Sequence, residues 1–183
     1  MSGLAPSGLL APRILGALLL RTRTYAEIAA DAYGGIQAGI VVVIAGVLEA
    51  TVSAAVHEDP TLDSVQILYS VLAAVIGWFL WSLLLFGVGA RAFDHSSEFP
   101  PVLRAVAFAH TPVLIYGLAA IPGLHLWTGT LFLVSLAWFA AALLAAARGV
   151  FAVSGKRALA IVATTMAGHE VLHQLLRLFG LMG

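Results

Sequence analysis

From Ala105 to Ala147 the chain carries no lysine, arginine, aspartate or glutamate. Each helix that crosses a bilayer uses about 20 residues. The region therefore holds two apolar runs, about 103–121 and 126–147, joined at Pro122-Gly123 by a turn too short and uncharged for anything but a tight hairpin at a membrane surface.

Composition extends this reading to the whole chain. Its 183 residues are 61% hydrophobic and 10% charged, with a mean hydropathy of +1.02, where soluble domains are about a quarter charged. The chain is read as an all-α integral membrane protein with a single domain over 1–183. Net charge is zero and there is no run of like charges, which excludes nucleic acid as a partner. The absence of cysteine removes disulfides, thiolate nucleophiles and Cys-ligated metal. Any metal site would have to use His, Asp and Glu.

Taken in order, residues 8–20 are apolar but short and broken by Pro12 and Arg13, which argues against a signal peptide. They predict an amphipathic helix in the cytoplasmic interface. Thr24 and Glu27 stand at capping-box spacing, so a second short helix is expected over 24–32, and the interfacial segment covers about 8–32. Five spans follow, at about 36–56, 66–90, 103–121, 126–147 and 157–181, forming a five-helix bundle. Asp63 and Gln66 are placed to cap the second span. Gly35 and Gly39 have the GxxxG spacing that lets a neighbouring helix approach closely, expected here within the bundle.

Arg13, Arg21, Arg23, Arg91, Arg104, Arg148, Lys156 and Arg157 fall on one side of this topology and Arg177 toward the other. The positive-inside rule makes the first side, with the N-terminus, cytoplasmic. Tyr25, Tyr33 and Trp127 are expected as interface anchors, and Trp78, Trp81 and Trp138 as packing or lipid-facing bulk.

Several stretches resemble the Yip1-domain family of small membrane proteins. They are the entry from Gly16 to Thr24, Gln37-Ala38, the block from Phe99 to Phe108 with Arg104 inside it, Thr111-Pro112, Ile121-Pro122-Gly123, Trp127, Ala147-Arg148 and Lys156 to Leu159. The resemblance implies a five-span bundle with a cytoplasmic N-terminus and no catalytic residues. Eukaryotic relatives are linked to vesicle traffic and lipidated small GTPases. The chain lacks their long N-terminal segment and looks like a bacterial member, which makes GTPase binding doubtful and implies the bacterial cytoplasmic (inner) membrane.

One motif lies outside that resemblance. His169-Glu170-Val171-Leu172-His173 fits HExxH, in which two imidazoles one helical turn apart bind zinc and the glutamate activates water. Glu49 lies 13 residues beyond Ile36, and Glu170 lies 13 beyond Arg157. At 1.5 Å per residue both carboxyls sit about 20 Å into their spans, so Glu49 is the candidate third ligand beside His169 and His173, with Glu170 as general base. The competing reading is a polar seam of His169, Glu170, His173 and Arg177 whose members satisfy one another, with Glu49 as a buried carboxyl beside it; Glu49, His110, Glu170, His173 and Arg177 make up the expected buried polar layer. Site-2-type intramembrane metalloproteases, which the HExxH resembles, also need an Asp on a later helix; here Leu62-Asp63 is in a loop and nothing suitable follows His173.

His110 is six residues past Arg104, about 9 Å into its span. It is too shallow for the Glu49 layer without tilt, and its ordinary role is to bond a carbonyl freed near Pro112. The leading expectation is thus a non-enzymatic, Yip1-like membrane protein without a cofactor, working with the lipid bilayer, other membrane proteins or copies of itself. A zinc-dependent hydrolase and a proton or small-solute permease are the alternatives.

Overall fold

A computed structural model describes residues 9–56, 63–92 and 98–179. Most of the two predicted polar loops, with Glu58, Asp59, Asp94 and His95, and the last residues of the final predicted span lie outside the described residues. The order is α1 (Leu10–Leu18), α2 (Thr22–Ala30), α3 (Gly34–Val56), α4 (Ser64–Gly87), α5 (Phe99–Ala109), α6 (Val113–Tyr116), α7 (Thr128–Phe151) and α8 (Gly155–Leu178). A π turn, Val88–Ala92, extends α4, and short 3-10 turns at Gly117–Ala120 and His125–Trp127 link α6 to α7. The described residues contain no strand. The protein is an all-helical integral membrane protein.

Four segments are long and apolar enough to cross a bilayer: Gly34–Val56, Ser64–Arg91, Phe99–Ala120 and His125–Phe151. The segment expected as a fifth span is helical, as α8 of 24 residues. It has the length, but Lys156, Arg157, His169, Glu170, His173 and Arg177 keep it out of the apolar set.

The core is built around α5. Val102 and the whole run from Ala105 to Ala109 are buried, and α1, α2, α3, α4 and α7 all pack on this helix. Its alanines let five neighbours approach one short rod. Pro100 and Pro101 stand in its first turn, where no intrahelical donor is lost. Trp78 Nε1 ties α4 to it by donating to the Leu103 carbonyl at 2.7 Å.

Beyond Ala109 the ladder tightens, with the amides of His110 and Thr111 donating to Ala107 and Phe108, three residues back. Pro112 then ends the helix. The expected Pro-Gly hairpin turn is present, with the Leu124 amide donating to the Ile121 carbonyl at 2.9 Å and Gly123 at φ +88°, the pattern of a type II turn.

The helix pair α3–α4 crosses at Gly46, where an added Cβ would lie 2.6 Å from the Val71 Cα. The GxxxG pair contributes nothing of the kind: Cβ atoms built on Gly35 and Gly39 meet nothing within 4 Å. Close packing within the bundle was expected of them, but the helix turns both outward. Asp63 caps α4 as its spacing predicts, accepting from the Gln66 amide at 2.6 Å.

Helices α1 and α2 form an antiparallel hairpin. Leu20 adopts a left-handed conformation at φ +55°, and the amides of Leu20 and Arg21 return to the carbonyls of Ala17 and Gly16, a Schellman-type stop. Because of this turn, α2 begins at Thr22 behind Arg21. The expected Thr24–Glu27 capping box does not form, and Glu27 pairs instead with Arg23 at 2.8 Å.

Tyr25, expected as an interface anchor, is fully buried and donates to the Ala17 carbonyl at 3.2 Å; burial raises its phenol pKa far above the usual value. The hairpin is docked on the flank of the bundle. Ile14 borders a small cavity with Val41 and Ile44, about 10–15 Å along α3, and Trp138 Nε1 donates to the Leu18 carbonyl at 2.9 Å.

This docking is possible because the single charge of α1 needs no water. Arg13 pairs with Asp31 at 2.7 Å and donates to Gln37 Oε1 at 2.8 Å, while the Arg104 guanidinium donates to the Ala29 carbonyl. Asp31 also accepts from the Tyr33 amide at 2.9 Å. The Arg13 hydrogen bond, reinforced by the positive charges of Arg13 and Arg104, holds the Asp31 carboxyl below its ordinary range against the cost of burial.

Candidate functional site

Helices α4 and α7 share no extended packed seam, and the space left between them is a cavity of about 510 Å³. It is open to one side, and α3 and the α5–α6 junction supply the remaining walls. The lining is apolar and aromatic, through Trp81, Phe132, Phe139 and Tyr116, with Glu49, His110 and Ser135 as further polar groups. Its rings pack on one another: Trp81 meets Phe139 edge-on at 5.3 Å, Tyr116 meets Phe132 at 5.8 Å, and His110 lies 5.1 Å from Phe139.

Each polar group owes its place to local backbone geometry. His110 ends α5, and its Nδ1 lies 2.9 Å from the Val106 carbonyl. That carbonyl has lost its usual partner, because the His110 amide turns to Ala107. The imidazole replaces the missing donor, so Nδ1 carries the hydrogen and Nε2 is left as an acceptor. Ser135 donates to the Pro112 carbonyl at 2.9 Å across the α6–α7 gap. Glu49, on α3, has no hydrogen-bond or ion-pair partner among the described residues.

The joint presence of Glu49 and His110 revises the depth argument. The helix holding His110 starts at Phe99, not near residue 103, so His110 lies about 16 Å along it against about 22 Å for Glu49 on α3. A cavity of this size spans the difference.

The HExxH residues sit elsewhere. On α8 the His169 ring stacks on Trp81, with centroids 4.2 Å apart and planes 10° from parallel. Glu170 is exposed and accepts from Gln174 Nε2 at 2.6 Å. His173 is partly exposed and Arg177 is exposed.

Helix α8 packs on α4 and α7 and shares no packed seam with α3, so Trp81 stands between His169 and the cavity that holds Glu49. Among the described residues no three His, Asp or Glu side chains gather as a metal site. The expected zinc site with Glu49 as third ligand is therefore not assembled, and neither is the expected layer of Glu49, His110, Glu170, His173 and Arg177. Only Glu49 and His110 of that set come together.

Sequence reasoning missed Tyr116, Ser135 and the role of Trp81. A signal was present for Tyr116 and Ser135, since both are hydrogen-bonding groups within otherwise apolar segments. The tryptophans read as bulk also carry polar tips, and those of Trp78 and Trp138 tie helices together by donating to backbone carbonyls.

No curated protein and no solved structure matches the chain. The Yip1 domain family matches residues 10–172, from the first residue of α1 into the HExxH segment. That match takes in the α1–α2 hairpin, the Arg13–Asp31–Gln37 cluster, the central α5 and the whole cavity. The chain belongs to the Yip1 family.

Proposed function

We propose that this Yip1-family protein is non-enzymatic and acts through contacts within the bilayer, as an organising or accessory subunit or a trafficking-type adaptor, in the cytoplasmic membrane of a bacterium. The observation that carries the reading is the uncovered side of α4. Only 17% of its most apolar window is buried, against 39%, 50% and 28% for the other three spans, and Leu68, Tyr69, Leu72, Ile76 and Leu83 are exposed. The outward-facing Gly35 and Gly39 add a second surface that a helix could approach closely. The Yip1 family is not a family of enzymes, which favours an interaction role over catalysis.

A photo-crosslinking amino acid at Leu72 or Ile76 tests this in native membranes. Discrete adducts with a membrane protein, or with a second copy of the chain, are expected by mass spectrometry. Adducts with lipid alone at both positions overturn the reading. Neither alternative gains support: among the described residues no third ligand joins His169 and His173, and Glu49 lines the cavity whereas Glu170 is exposed on α8.

A further inference from the structure

We propose that the cavity between α4 and α7 is a binding site for an amphiphilic organic cation, an apolar body carrying an ammonium-type group, which enters from the bilayer. Three observations point to positive charge. Among the described residues, Glu49 is the only carboxylate in the lining, and no lysine or arginine lines the cavity with it. An anionic amphiphile such as a fatty acid would meet this carboxylate with nothing to offset it, whereas a cation supplies the partner that Glu49 lacks.

The hydrogens of two lining polar groups are committed elsewhere, that of Ser135 to the Pro112 carbonyl and that of His110 Nδ1 to the Val106 carbonyl. Both residues therefore offer lone pairs to an occupant. The walls are aromatic, with Trp81, Phe132, Phe139 and Tyr116, and the faces of such rings attract cations, most strongly where water is excluded. At about 510 Å³ the volume is that of a small-molecule site, and the helices that wall it, α3, α4 and α7, all belong to apolar segments long enough to cross a bilayer.

The test uses the full chain in nanodiscs of phosphatidylglycerol, with radiolabelled tetraphenylphosphonium as the probe and empty nanodiscs subtracted. Saturable binding near one per chain is expected, weakened at least tenfold in Glu49→Gln and not displaced by tetraphenylborate, which has the same shape and the opposite charge. Gly77 lines the cavity, and a Cβ built there meets nothing within 4 Å, so the first carbon of a larger side chain has room, and Gly77→Leu is expected to occupy the site and abolish binding. Thermal melts of both variants show whether the fold is kept.

Repeating the titration in phosphatidylethanolamine nanodiscs separates the sources of the cation. Competition identifies a lipid headgroup amine, and unchanged affinity identifies a free organic cation. Binding no greater than in empty nanodiscs, binding unchanged in Glu49→Gln, or equal displacement by tetraphenylborate overturns the proposal.

Discussion

Asp31 shows how much one side chain can hold in this protein. It ends α2, pairs with Arg13 from α1 and accepts the Tyr33 amide at the entry to α3. Its pKa is lowered in the folded protein, mainly by the Arg13 hydrogen bond. The pair therefore stabilises the fold at pH values above the ordinary carboxyl range, and the contribution is lost as the pH falls through the folded value. Asp31→Asn is expected to cost about 2 kcal/mol near neutral pH, the scale of hydrogen bonds to charged groups. The difference from wild type should vanish in strong acid; a pH series of thermal melts checks both points.

Ala152, past the end of α7, has a left-handed backbone at φ +51° and an exposed side chain. That conformation costs an L-residue about 1 kcal/mol, so Ala152→Gly is expected to raise the melting midpoint. Such local features differ in how far sequence reveals them. The Asp63 cap was legible because its partner is three residues away. The Arg13–Asp31–Gln37 cluster was not, since its members are brought together over separations of 18 and 24 residues only once α1 folds back on the bundle.

Among the elements, α8 separates what helix arithmetic can and cannot give. Counting residues put Glu49 and Glu170 at a common depth, and the helix starts at Gly34 and Gly155 preserve that. Which side of a neighbour each helix occupies is set by packing, and here α4, carrying Trp81, lies between them. The HExxH is therefore expected to hold no zinc. Elemental analysis of the purified protein should find none above background, and one zinc per chain lost in His173→Ala would restore the metal reading. His110 was misjudged for a related reason, since its helix begins earlier than the apolar run suggests, with two prolines in its first turn. Its bond to a carbonyl released ahead of Pro112 follows from chemistry that operates within one turn, and the sequence showed it.

For the whole molecule, composition alone was enough to assign the membrane class, and charge distribution orders the ends. The starts of α3, α5 and α8 and the ends of α4 and α7 share one end of the antiparallel bundle, and Arg91, Arg148, Lys156 and Arg157 cluster there. This end is expected to face the cytoplasm. The chain has no cysteine, so single Lys156→Cys and Ser64→Cys variants can be labelled cleanly. A membrane-impermeant maleimide added to intact cells is expected to reach Cys at 64 and to reach position 156 only after lysis, and the opposite pattern would invert the topology. The central position of α5 also bears on how the protein is made. With 11 residues it reaches about 16 Å, barely half of the hydrocarbon layer, and its segment has the lowest hydropathy of the four spans, 1.5. A translocon would have little reason to release it into lipid by itself, so its integration should wait for α7 to emerge from the ribosome and arrive as a partner.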